Sequence, residues 1–121
     1  MGAMMNFSLA EVSEGHAVFF AEPEECHYNP LGVVHGGFAA TLLDSAMGCA
    51  VHSTLPAGVR YTTLEIKVNF VHAMTVETGR VRCEAKVLHV GNRTATAEAS
   101  VMDESGKLYA HGTTTCIIFR P

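Results

Sequence analysis

Excess positive charge is missing from this chain: eight lysines and arginines stand against twelve aspartates and glutamates, for a formal net charge of −4. Nucleic acid or a membrane surface would want a basic face, so neither is expected as a partner. Long apolar runs are missing too. The longest, Phe38 to Val51, is too short to span a bilayer and holds Asp44 within it. No basic segment followed by an apolar stretch opens the chain, which argues against a secretory leader. Asn6 stands where N-myristoylation needs Ser or Thr. The four cysteines, Cys26, Cys49, Cys83 and Cys116, are scattered, with no C-x-x-C pair and no density fit for a disulfide scaffold. They read as small buried hydrophobes in a reducing compartment, and the expected location is cytoplasmic. Catalytic signatures are absent as well: no G-x-S-x-G elbow, no P-loop, no G-x-G-x-x-G and no H-E-x-x-H. None of the seven histidines is paired at ligand spacing, so no metal and no resident cofactor is expected.

What is present is a single domain over residues 1–121, with Met1 to Met4 read as appended residues. At 48% hydrophobic content the chain can build one core. A chain this short buries only about two-thirds of its surface, a limit that association would relieve. Phe7 to Val12 and His16 to Ala21 read as short strands joined by a turn at Ser13-Glu14-Gly15. Glu22 to Gly32, with two prolines, reads as a loop. His35-Gly36-Gly37 then opens a helix to about Thr54, ended by Pro56 and Gly58. It is apolar nearly all round, which predicts burial.

Four alternating segments follow. In Tyr61 to Val71, Leu64, Ile66, Val68 and Phe70 share one face, while Glu65, Lys67 and Asn69 share the other with Thr63. Arg80 to Val90 and Thr94 to Met102 alternate the same way, the latter through a row of alanines, and Leu108 to Phe119 completes the set. Period-two alternation with short turns means an antiparallel sheet with one buried face. The fold class is therefore α+β, a curved sheet drawn closely round one buried helix by its small residues.

Chemistry concentrates between Asn29 and Asp44. Gly36 and Gly37 stand at a helix N-terminus, where backbone N–H groups lack partners and the dipole favours negative charge. They serve either as an oxyanion hole for an acyl carbonyl or only as a tight turn. Asp44 is the sole acid in the apolar helix. Either it pairs with a core polar group, His52 or a backbone donor, or it is a base or nucleophile kept reactive by desolvation. Asp44 lies seven residues beyond Gly37, on the order of 10 Å along the axis, too far for one carbonyl to meet both. A second subunit across a two-fold axis would bring its Asp44 to this helix start, making two equivalent sites per dimer.

The spacing of Asn29, His35-Gly36-Gly37 and Asp44 resembles the PaaI-type (phenylacetate-pathway) acyl-CoA thioesterases of the hotdog superfamily. The likeness covers nearly the whole chain, including Y-T-T-L-E-I-K-V-N-F at Tyr61 to Phe70 and G-N-R-T at Gly91 to Thr94. The resemblance implies a hotdog fold and hydrolysis of an acyl-CoA, the CoA being part of the substrate. It implies that Asn29 orients the water or carboxylate and that His35 polarises the thioester region. Gly37, with Gly36, would supply the oxyanion N–H, the other chain's Asp44 would act as base or nucleophile, and Thr63 would position the water. Gly91, Asn92 and Arg93 would meet the CoA nucleotide. Bland readings stand beside these: a loop histidine for His35, a solvated turn residue for Arg93, a β-former on a polar face for Thr63. A homodimer is expected, with dimers pairing further into a homotetramer. Phe7, Phe19, Phe20, Phe38 and Met47 are the candidates for lining the acyl pocket. A hotdog dehydratase or hydratase and a non-catalytic acyl-CoA binding protein are the alternative functions.

Overall fold

The two short strand candidates and the four alternating segments become six strands: β1 (Phe7–Ser13), β2 (His16–Ala21), β3 (Arg60–Phe70), β4 (Val81–Val90), β5 (Thr94–Asp103) and β6 (Leu108–Phe119). They form one antiparallel sheet in the order β1-β2-β4-β5-β6-β3. The apolar segment between β2 and β3 is a helix, α1 (Gly36–His52). These come from a computed structural model that describes residues 6–121, so the reading of Met1 to Met4 lies outside the described residues.

Alternation places Ala17, Ala21, Ala85, Ala95, Ala97, Ala99 and Ala110 on the buried face of the sheet. Methyl side chains let the helix come close, and α1 fills the concavity with Phe38, Leu42, Leu43, Met47 and Val51, each at most 1% exposed. Each such side chain contributes about 1.5–3 kcal/mol on burial. Four register shifts, at Leu9/Glu11, Thr63/Glu65, Val87/His89 and Val101/Met102, interrupt the ladders. Such bulges bend a strand and increase its twist, which helps the sheet curl round the helix. The far end of α1 is tied down by Ser53, whose Oγ accepts the Gly15 N–H at 2.8 Å and donates to the Ala50 carbonyl at 2.6 Å. Cys83 and Cys116 are buried as expected, and burial pushes the Cys83 thiol up to about 12. Cys49 is half-buried and Cys26 exposed, so the uniform reading of the cysteines as buried does not hold.

Two expectations are corrected here. The first concerns β3. The bulge between Thr63 and Glu65 breaks its alternation, pairing Thr63 with Cys116 and Ile66 with Thr114, both buried positions. Thr63 therefore shares the helix side with Tyr61, Ile66, Val68 and Phe70, not the outer side with Glu65 and Lys67. Even on that side the strand is uncovered, because β3 is the sheet's last strand: Ile66 is 37% exposed and Phe70 60%. The second concerns α1, which is not buried all round. Asp44 and His52 are exposed, and Thr41, Ser45 and Cys49 partly so. These residues recur at three- and four-residue spacing and form one stripe.

Gly112 holds β3 in place. A Cβ there would stand 2.5 Å from the Lys67 carbonyl oxygen, so only glycine lets β6 pair this closely with Val68. Gly112→Ala should displace β3 and cost about 1–3 kcal/mol, the usual range for forced overpacking. Urea unfolding of the two proteins side by side measures this; an unchanged midpoint would mean that β3 shifts freely.

Candidate active site

The open stripe of α1 is the floor of a groove. Asp44, Ser45, Gly48 and Cys49 supply the floor, Phe7 of β1 and Phe19 of β2 one wall, and Tyr61 and Thr63 of β3 the other. The two walls come from opposite ends of the sheet, so the groove, of about 380 Å³, is the seam left where the curled sheet fails to close. Phe7 is set edge-on against Phe38, with ring centroids 5.3 Å apart. Of the five pocket candidates named from the sequence, only Phe7 and Phe19 line this groove. Phe38 and Met47 are core residues, and Phe20 lies under the Arg80 guanidinium, 4.1 Å from its ring centroid.

Asp44 meets the structure differently from either expectation. Its carboxylate is exposed, and its Oδ1 accepts a hydrogen bond from Thr63 Oγ1 at 3.2 Å. Neither His52 nor a backbone donor is its partner; His52 instead packs against the Tyr61 ring at 5.6 Å. Desolvation of Asp44 is thus not a property of the single chain. The bulge in β3 makes the Thr63 bond possible by turning that hydroxyl toward the helix.

The helix start carries the other half of the chemistry. His35 is the N-cap, and its Nδ1 accepts the Gly37 N–H at 2.8 Å. That bond needs a lone pair on Nδ1, so the proton of the neutral ring sits on Nε2, a donor facing away from the helix. The Gly37 N–H is therefore occupied, while that of Gly36, the first helical residue, has no acceptor among the described residues. Side chains crowd both glycines. A Cβ on Gly37 would stand 2.9 Å from His35 Nδ1, and one on Gly36 would stand 3.2 Å from the Phe70 ring. A second hollow, of about 230 Å³, adjoins this point and is lined by Val34, Phe70 and His72 among others, but includes no acid.

Asn29 shapes the loop before the helix. Its Oδ1 accepts the N–H groups of Leu31 at 2.9 Å and Val33 at 3.4 Å, and its own N–H donates to the Val33 carbonyl at 2.8 Å. The side-chain NH2 has no partner among the described residues. In the β4–β5 turn the Gly91 N–H donates to the Thr94 carbonyl at 2.8 Å, and Arg93 is exposed and in no ion pair among the described residues. Arg120, which the sequence reading passed over, donates to the Gly91 carbonyl at 3.1 Å and the Asn92 carbonyl at 2.9 Å. Nothing near Arg120 in the sequence signals this, since the turn it holds lies 28 residues away. Gly48, Cys49 and Tyr61 were missed as well. Gly48 did carry a signal: glycine inside a helix costs about 1 kcal/mol relative to alanine and asks for a reason.

The structure thus joins Asp44 to Thr63 and His35 to Gly37, and leaves Asn29 and the Gly91–Arg93 turn in separate places. Histidine also gathers two neighbours that the spacing did not suggest: one potential ligand atom each from Glu24, Cys26 and His27 lie within 4.8 Å of one another. The His27 Nδ1 there already accepts the Glu24 N–H at 2.9 Å, and His27 packs on Phe38. No helix among the described residues is long and apolar enough to cross a membrane.

Comparison with known proteins agrees with this geometry. A family model described as "Thioesterase superfamily" matches residues 31–110. A 1,4-dihydroxy-2-naphthoyl-CoA hydrolase of Listeria monocytogenes is 28% identical over 104 residues, covering 86% of this chain and 83% of that one. The solved structure of the conserved protein PA5202 from Pseudomonas aeruginosa superposes with a TM-score of 0.90 at 32% identity, covering 98% and 92% of the two chains. A phenylacetic acid degradation-related protein from Ralstonia eutropha shares the fold, with a TM-score of 0.86 at 24% identity over 96% and 87%. The six-stranded antiparallel sheet around one helix is the hotdog fold, and the chain belongs to the thioesterase superfamily as a thioester hydrolase.

Proposed function

We propose that this protein hydrolyses acyl-CoA thioesters in the cytoplasm, at sites completed by a second copy of the chain. The observation that carries the reading is the Asp44–Thr63 pair at the mouth of an aromatic-walled groove. A carboxylate and a hydroxyl held together there can take the proton of a water or attack a carbonyl carbon. The Listeria relative, named for a CoA thioester of an aromatic acid, supports CoA esters as the substrate class.

In the direct route a water held beside both Thr63 Oγ1 and Asp44 gives its proton to the carboxylate while its oxygen attacks the thioester carbon. In the covalent route Asp44 attacks first and water releases the acyl group. In both, charge gathers on the carbonyl oxygen, and preorganised N–H donors are worth most there. With the Gly37 N–H taken by His35, the donors best placed for that oxygen are the Gly36 N–H and the His35 Nε2–H; Gly37 joins them only if the His35 ring turns. In the assembled site the Asn29 amide, whose NH2 has no partner among the described residues, would orient the water. Collapse expels the CoA thiolate, which then takes up a proton.

Asp44 and Gly36 stand two helical turns apart on α1, so one carbonyl cannot reach both within a chain. The β3 edge supplies the means of bringing in a second chain. Its 11 residues present an unpaired row of backbone donors and acceptors beside exposed Leu64, Ile66 and Phe70. A two-fold related copy added along β3 would cover this edge and the groove together, desolvating Asp44 only in the assembled protein. Dimers then pair into a homotetramer. The nucleotide phosphates of CoA would meet Arg93 on the Gly91–Arg93 turn, whose backbone Arg120 holds.

Asp44→Asn should lower kcat by about 100-fold or more, the usual range for losing a general base, with the fold and the size in solution preserved. A near-normal rate on a good CoA ester would make Asp44 structural. The shared site is tested by complementation. Gly36→Pro removes one N–H at the first helical position, which takes proline once the exposed Phe70 ring moves aside by a few tenths of an ångström, and Asp44→Asn has the opposite defect. Equal mixing should restore roughly a quarter of full activity, because half the dimers are mixed and each has one intact site. Mixed dimers verified by native mass spectrometry yet inactive would place each site within one chain. Arg93→Ala should raise KM for CoA esters more than it lowers kcat, since the nucleotide is remote from the reacting carbon; steady-state kinetics with a fall confined to kcat would contradict that role.

A further inference from the structure

The groove runs on past Asp44 to Gly48 and Tyr61. Gly48 lies one helical turn beyond Asp44, about 6 Å along the axis, and faces Tyr61 across the groove. A Cβ on Gly48 would stand 3.0 Å from the Tyr61 hydroxyl, so the absent side chain is what leaves that hydroxyl uncovered. The phenol itself is held. Tyr61 pairs with Ile118 in the sheet, and His52 backs its ring. Its hydroxyl takes no hydrogen-bond partner among the described residues, although Ser45, Cys49, Thr63 and Asp44 surround the same groove. A half-buried hydroxyl with no partner is costly unless a ligand or water completes it.

We propose that Gly48 and Tyr61 form the end-stop of the acyl pocket and set its specificity. They limit the acyl group to about the length of one aromatic ring and reward a hydrogen-bonding group at its far end. The inference rests on the reading of Asp44 as the reacting end. With the thioester carbon beside Asp44, an acyl group lies along the Ser45–Gly48 floor, between the wall of Phe7 and Phe19 and that of Tyr61 and Thr63. Its far atom then arrives at the Tyr61 hydroxyl. Burial raises the Tyr61 phenol above its ordinary value, followed in effect by the charges of Cys49, Cys116 and Asp44, so the group meets the ligand as a neutral donor and acceptor. Gly48 sets the depth and Tyr61 the polarity.

The test compares kcat/KM for benzoyl-CoA, its 4-hydroxy derivative and acetyl-CoA in the wild type, Tyr61→Phe and Gly48→Ala. Tyr61→Phe keeps the ring and removes only the hydroxyl. It should lower the ratio of hydroxylated to plain benzoyl ester about tenfold, the effect of one hydrogen bond lost from a site built to make it. Gly48→Ala, a change that favours the helix, should depress both ring esters about tenfold relative to acetyl-CoA by pushing the phenol into the groove. Ratios that stay fixed in both variants, while the wild type turns over the esters, would overturn the end-stop alone. A wild type inactive on every CoA ester would overturn the reading of Asp44, and the end-stop with it.

Discussion

A single helix can occupy the hollow of a six-stranded sheet only where the two backbones approach closely, and the row of alanines from β2, β4, β5 and β6 is what permits it here. Everything else in the molecule follows from that close approach. The helix is drawn so deep that its larger side chains, Phe38, Leu42, Leu43, Met47 and Val51, fill the space without remainder. The sheet must curl to follow it, and bulges supply the bend. A sheet of six strands still does not close, so β1 and β3 stand apart and one stripe of the helix remains open between them. The groove is the unclosed part of the packing problem, not a cavity carved into the core.

This explains why polar chemistry can sit on a helix that is otherwise core. Along the open stripe a carboxylate costs little in the single chain, since water reaches it. Its environment changes only when something covers the seam. The uncovered edge of β3 and the uncovered stripe of α1 are neighbours, so one partner surface can close both at once. Stability of the assembly and chemistry of the site would then depend on the same contact.

Much of this was legible in the sequence. Alternation located β3 to β6, two short runs about a turn located β1 and β2, and the apolar run located α1, because burial on one face leaves a period-two trace and a long buried helix leaves a continuous one. The glycines at the helix start were also readable, although the reason for them was not: the rings of His35 and Phe70 occupy the space their side chains would need. Other features left no trace or a faint one. The bulge at Leu64 adds a residue without altering composition, so Thr63 was placed on the wrong face. The open stripe was concealed by its small residues: Gly48 and Cys49 count as apolar, and only the three- and four-residue spacing of Thr41, Asp44, Ser45 and His52 hints at a face without cover. Tyr61 and the wall of Phe7 and Phe19 meet only because the sheet curls, a long-range consequence that no local pattern encodes.

The bulge in β3 has a meaning beyond the geometry of one hydroxyl. A strand whose pairing carries one surplus residue behaves like a keyed shaft, with everything on either side of the key rotated by half a turn relative to an unkeyed strand. Were Leu64 drawn into the ladder, the residues of β3 before it would slip one place along β6 while every core residue kept its identity. Tyr61 and Thr63 would then turn to the outside of the sheet, and Asp44 would lose its partner. The pocket can therefore be undone by a slip of one residue in pairing, without any change at a residue that touches substrate.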